Sequence, residues 1–237
     1  IPTITDPRGL DFAQYECLKQ EHSWARQEQT MIDSFRALDV LMTDTCINYQ
    51  TVSAPVFGEH VAMGDTGVVI YSNSVCGART NFEGGPAAIA AALTGRTPRY
   101  GLHLDEARMG THLFDVRVRP KSLSDWGALG GIVGRAVASY WYVPVLAGID
   151  LPPSSDELKH FGAALASFGS VPMFHMVGVT PNARELGDVF DGPAPAATRI
   201  KRTDIDDFYA GYGDHADGVD IVVFAAPQLS IHELQDL

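Results

Sequence analysis

The hydrophobic positions along the chain change period several times, and each change predicts an element. Between residues 11 and 42 apolar side chains recur at roughly helical spacing (Phe12, Tyr15 and Leu18, then Met31, Ile32, Phe35 and Leu38), which predicts one or two helices. The run GVVIYS at 67–72 is compact and β-branched, as expected of a buried strand. Gly84-Gly85-Pro86 then opens a predicted buried helix running from Ala87 to Leu93. HLFDVRVR at 112–119 alternates as a strand should. WGALGGIVGRAVASYW at 126–141 predicts a helix whose glycines allow close packing, and YVPVLAGI at 142–149 a strand. SSDELKHFGAALASFG at 154–169 sets an N-cap serine before an acidic first turn and ends on Gly169. VPMFHMVGV at 171–179 reads as a buried strand, followed by the turn TPNA and a further helix. GVDIVVFAAP at 218–227 reads as a strand, and LSIHELQDL at 229–237 begins a helix.

Strands and helices that alternate in this way predict an α/β fold with a largely parallel sheet. Residues 1–10 form an irregular lead-in, and DGPAPAAT at 191–198 is a surface loop or linker that would subdivide the chain. At 237 residues, 46% hydrophobic and 19% charged, the chain suits one large domain or two small ones. No apolar run approaches the ~20 residues of a membrane span. The chain begins at Ile1 and stops inside the last predicted helix, so it is expected to be a piece or one subunit of something larger. Twenty-nine acidic against 17 basic residues give a net charge of −12, which makes nucleic acid a poor partner. A small anionic substrate remains compatible, because a local arginine group outweighs a global charge. The segment TRIKRTDIDDFY at 198–209 mixes both signs and reads as a solvated helix start. Three cysteines argue against a disulfide framework and for a reducing, cytoplasmic setting.

Candidate chemistry concentrates in NSVCGARTNFEGGP at 73–86. Placed between a predicted strand and a helix N-terminus, it sits where open α/β sheets bind ligands and where helix ends attract anions. A polar turn that merely caps the helix is the competing reading. Arg79 beside Asn73 and Asn81 suits a carboxylate or phosphate, with an ion pair to Glu83 or Glu59 as the structural alternative. Glu83 reads either as substrate-facing or as a helix N-terminal charge. Cys46, flanked by Thr45 and Asn48, is either a small buried hydrophobe or an iron or zinc ligand. Cys76, between Val75 and Gly77, reads as packing. His60 reads as a general acid, a metal ligand or a hydrogen-bonded core residue, and with His103 it would suit a mononuclear metal site. His175, inside an apolar run, reads as a satisfied core histidine. No G-x-S-x-G and no phosphate loop is present, and GALGGIVG follows no clear strand that would make it a dinucleotide fingerprint.

Taken together, TDTC (43–46), FGEH (57–60), NSVCGARTNFEGGP (73–86), LTGRTPRYGLH (93–103), DELKHFGAALASFGSV (156–171) and FHMVGVTPNA (174–183) resemble aconitase X, the aconitase-related dehydratases. The resemblance covers most of the chain in the right order. It implies an aconitase-like three-layer αβα core of a large subunit across residues 1–237. It also implies a hydro-lyase that removes water from a small β-hydroxy acid, using an iron–sulfur cluster as Lewis acid. ARTNFEGGP looks more like the mevalonate 5-phosphate dehydratase branch, which has a large and a small subunit, than the cis-3-hydroxy-L-proline dehydratase branch. A serine base on a small swivelling domain would then come from a partner. Cys46 matches the family's cluster-binding Thr-Cys. Asn73, Ser74, Arg79, Thr80, Asn81 and Glu83 take the substrate-binding positions, and Glu59 and His60 the catalytic ones. One departure stands out: where the resemblance leads to Gly-Cys-Pro-His near the end, this chain has Ala226 and Gln228. The cluster is then absent, or held differently with Cys76 recruited. A rewired, non-catalytic subunit is the third outcome this departure allows.

Overall fold

The computed structural model describes residues 1–213, 218–224 and 226–237. Seven α-helices and four strands are described: α1 His22–Ala37, α2 Thr66–Ser74, α3 Gly85–Thr94, β1 His112–Val116, α4 Leu123–Val137, β2 Pro144–Ala147, α5 Ser155–Gly169, β3 His175–Met176, β4 Thr198–Ile200, α6 Arg202–Ala210 and α7 Ile231–Gln235. The expected α/β class with a parallel sheet holds. The sheet has the order β3-β2-β1-β4, and every pair is parallel.

Period-2 alternation sorts the strand residues onto two faces. Phe114, Val116, Leu146, Met176 and Ile200 point into the main core with α2, α4 and α5. Leu113, Val145 and Val177 point the other way, onto Ala183, Leu186, Val189 and Phe190. The helix expected after TPNA is instead a short 3₁₀ turn, Leu186–Val189, which covers this second face.

Helices α4 and α5 are fixed by local signals. Ser122 accepts from the Asp125 N–H at the start of α4, and Ser154 with Glu157 closes a reciprocal capping box at the start of α5. The two helices cross closely because Gly134 leaves room. A Cβ there would lie 2.7 Å from the Leu165 carbonyl oxygen.

Three expectations are corrected. Residues 67–72 are not a strand but the body of α2. Asp65 caps it, accepting from the Gly67 and Val68 N–H groups at 3.0 and 3.2 Å. Every residue from Val68 to Ser74 is buried, so the helix shows no polar face and its run of apolar residues mimics a buried strand. Helix α3 forms where expected but is not a core helix: only Ala91 is buried, and Ile89 and Leu93 face solvent. The predicted strand at 218–227 is irregular and exposed through Val219–Phe224, while residue 225 lies outside the described residues. Conversely, β4 forms from residues read as loop and helix start.

No described helix is long and apolar enough to cross a membrane.

Candidate functional site

Because 67–72 is helical, the 73–86 motif does not follow a strand. It leaves the C-terminal end of α2 and runs beside residues 58–64, making isolated parallel bridges between His60 and Arg79 and between Met63 and Phe82. The Arg79 N–H donates to the Glu59 carbonyl at 2.8 Å, which fixes where its side chain emerges. The guanidinium donates to the His103 carbonyl at 2.9 Å and pairs with Asp105. The partner is therefore neither Glu59 nor Glu83. Asp105 is 85% exposed, and the arginine contact holds its carboxyl below the usual range.

A second arginine, Arg108, lies behind the first and is buried. It donates to the Asn73 carbonyl at 3.0 Å, to Asn73 Oδ1 at 3.2 Å and to the Leu102 carbonyl at 3.2 Å, and bonds no carboxylate. Burial, and then the neighbouring Arg79 charge, lower its pKa to about 10. His60, exposed, meets buried His103 with their Nδ1 atoms 2.8 Å apart and rings stacked. Burial, His60 and the two arginines push His103 toward its neutral form. His175 is a core histidine, as the sequence suggests, but only half satisfied: its Nε2 bonds the Arg108 carbonyl at 2.7 Å, and burial lowers its pKa to about 4. Among the described residues, three buried atoms around this group bond no protein atom: His103 Nε2, Arg108 Nε and His175 Nδ1. Arg108 was missed from sequence, where Asp105 and Glu106 beside it make it read as one of a solvated charged group.

Four of the substrate-binding candidates serve as scaffold in this structure. Asn73 Nδ2 donates to the Thr80 and Pro172 carbonyls, and its Oδ1 accepts from the Thr80 N–H. Ser74 Oγ accepts from the Phe174 N–H at 2.9 Å. Thr80 Oγ1 donates to the Asn81 carbonyl and accepts from the Met63 N–H. Asn81 clasps Tyr100 and Leu102. All four are buried, and together they clamp the arginine-bearing bend onto α2 and the 100–103 turn. Glu83 is also buried, with one carboxylate oxygen bonded to no protein atom. Glu59 is exposed, its carboxylate accepting from the Val56 N–H at 2.9 Å.

Cys46 belongs to a different polar group. Gln228 Oε1 accepts from Thr45 Oγ1 at 2.7 Å and from the Cys46 N–H at 3.0 Å, while the Gln228 N–H points at Cys46 Sγ, 3.4 Å away. Burial raises the thiol pKa, Gln228 partly offsets this, and Asp65 and Asp6 raise it further. Next to this corner lies fully buried Lys159, unnoticed in sequence. It pairs with Glu233 and with Asp156 at 3.3 Å, and donates to the Gln228 carbonyl at 3.1 Å. Among the described residues no hydrogen bond or ion pair joins Cys46 to Arg79; the thiol corner is bonded to Gln228 and the guanidinium to His103 and Asp105. Cys76 packs against the main core, and burial raises its pKa to about 11. Among the described residues no three His, Cys, Asp or Glu side chains are placed to hold a metal. Iron–sulfur clusters are held mainly by several thiolates. One cysteine beside an alanine and a hydrogen-bonded glutamine does not fit that demand.

The surface hollows include two lined by charged residues. One, of about 670 Å³, is lined by Arg8, Leu10, Phe12, Gln20, Asp44 and Gln228. The other, of about 400 Å³, lies where the strand order reverses between β1 and β4, lined by Asp115, Arg199, Lys201 and Asp204 among others. Asp115 already engages Arg117 and Arg199 there.

The fold and the clamped arginine motif define a class before any particular protein. Sequence models of the aconitase X first and second domains match residues 1–106 and 110–210. The chain belongs to the aconitase X family. It is 35% identical over 242 residues to the phosphomevalonate dehydratase large subunit of Methanothermobacter thermautotrophicus, covering 99% of this chain and 57% of that protein. It is 37% identical over 243 residues to the cis-3-hydroxy-L-proline dehydratase of Hypocrea jecorina, covering all of this chain and 40% of that protein. The crystal structure of Thermococcus kodakaraensis aconitase X in its holo-form superposes with a TM-score of 0.84 at 30% identity, covering all of this chain and 57% of that one. The chain thus spans little more than half the length of the large subunits it matches.

Proposed function

We propose that this chain is the substrate-holding part of a hydro-lyase that dehydrates a small β-hydroxy acid of the mevalonate 5-phosphate kind. The observation that carries the reading is Arg79: a guanidinium locked at a half-buried surface, backed by Arg108, with highly exposed Asp105 as its carboxylate partner. A carboxylate or phosphate displaces such an exposed aspartate readily, because charge-assisted bonds to a planar guanidinium are strong and bidentate. In this reading Glu59 and His60, both exposed beside Arg79, handle protons, and the buried Asn73, Ser74, Thr80, Asn81 and Glu83 hold the arginine-bearing bend in register. The base that removes the substrate proton is supplied by a small partner subunit carrying the swivelling domain. Relatives named phosphomevalonate dehydratase large subunit support both the reaction class and the partner. cis-3-Hydroxy-L-proline is the alternative substrate, supported by the second group of relatives. The described donor set does not fit an iron–sulfur cluster, and the residue roles given above do not depend on one.

Calorimetric titration of the complete protein with mevalonate 5-phosphate and, separately, cis-3-hydroxy-L-proline tests the reading. Binding of the phosphate that Arg79→Gln weakens supports it. Binding that is indifferent to Arg79, or absent for both acids, overturns it. A second reading, a rewired subunit that keeps the fold and the anion-binding bend without a cluster, is favoured by the Gln228 contacts at Cys46. Substrate binding without turnover in the complete complex would select it.

A further inference from the structure

We propose that the Thr45–Cys46 corner of this chain is closed by Gln228 and takes no iron–sulfur cluster. Three atoms of Gln228 are committed. Its side-chain oxygen accepts from the Thr45 hydroxyl and the Cys46 N–H, its own N–H points at the Cys46 sulfur, and its carbonyl accepts from Lys159. An amide oxygen whose two lone pairs each accept a hydrogen bond has none left to offer a metal. Alanine at position 226 contributes no donor atom at all.

The surroundings point the same way. Lys159, which donates to the Gln228 carbonyl, is itself engaged by Glu233 and Asp156 and so anchors the glutamine in place. The glutamine thus does for the corner structurally what a ligand set would do through metal: it ties residues 45–46 to a segment 183 positions later in the chain.

The inference stands independently of the substrate reading, because it is read from iron and thiol content and not from turnover. The complete protein, with its partner subunit, is purified anaerobically, incubated with ferrous iron and sulfide, and desalted. Iron, labile sulfide and visible absorbance are measured, and alkylation of Cys46 is followed by mass spectrometry. The expected result is substoichiometric iron and sulfide at this corner and Cys46 alkylation unchanged by the treatment. Iron and sulfide retained while Cys46 still alkylates freely also support the proposal, since the cluster is then held elsewhere. Stoichiometric iron and sulfide that protect Cys46 from alkylation would overturn it. The paired variant A226C/Q228H restores thiol and imidazole donors. It is expected to gain iron, sulfide and Cys46 protection over wild type, and a wild type that carries as much of all three as the loaded variant would equally overturn the proposal.

Discussion

The two polar centres of this molecule differ in how completely they are satisfied. Around Lys159 every charge has its answer: one buried cation, two carboxylates, the Gln228 carbonyl, and His160 on the far oxygen of Glu233. Around Arg79 one arginine pairs with a highly exposed aspartate, its buried neighbour Arg108 bonds only amide and carbonyl oxygens, and three buried nitrogens bond no described protein atom. A closed network of that kind rigidifies a fold, whereas unpaired buried donors are costly unless something fills them. The contrast is one of charge, since Gln50 Oε1 beside Asp156 and Asn48 Oδ1 beside Thr45 are also without protein partners, and it makes the Arg79 centre the better candidate for an anion. It also shows why residue type alone misleads, since the cysteine sits in the closed centre.

The sharpest way to break this comparison is to open the closed centre. Lys159→Met leaves Glu233 and Asp156 without their buried cation and should cost about 3–5 kcal/mol in urea unfolding. A loss below about 1 kcal/mol would mean the network is not structural. Next in size is a pH effect at the open centre. His175 titrates near 4 in the fold against 6.5 when unfolded, so it contributes stability that is fully present above pH 6.5 and lost as pH falls through 4. The shift corresponds to about 3 kcal/mol at most. Urea unfolding followed from pH 7 to pH 4 should show that decline, and His175→Gln should flatten it. Third, Arg79→Gln should leave urea stability within about 1 kcal/mol and weaken hydroxy-acid binding by about 10- to 100-fold, the loss of charge-assisted bonds worth about 1.5–3 kcal/mol. A large stability loss with unchanged binding would reverse the contrast between the two centres. The smallest effect is expected from Asp105→Asn, which removes the competing carboxylate. Hydroxy-acid affinity, read by the same titration, should rise several-fold, and an unchanged or weaker affinity would mean Asp105 does not compete with the ligand.

The sequence was most legible where the signal is local. Ser154 with Glu157 marked the start of α5, and the glycines of α4 foretold a close crossing. It was least legible at 67–72, where a helix buried on all sides has the same apolar run as a buried strand; the overlooked clue was Asp65 at the N-cap. Helix α3 shows the opposite failure: its alanines guaranteed a helix, but only packing decided that it would face solvent. The 73–86 motif was recognised as important, yet its asparagines, serine and threonine turned out to be the clamp, with Arg79 as the part it presents. Arg108 and Lys159 escaped because nothing in their neighbours says that the chain will bury them.

Sequence alone determined the α/β class, the parallel sheet, the capped start of α5 and the family, because caps, periods and motifs are written within a few adjacent residues. Tertiary structure alone decided that Arg79 finds Asp105, 26 positions away, and that Gln228 finds Thr45, 183 positions away. Such partners are chosen by how elements pack and by which polar groups burial would otherwise leave unpaired, and neither is set by neighbours along the chain.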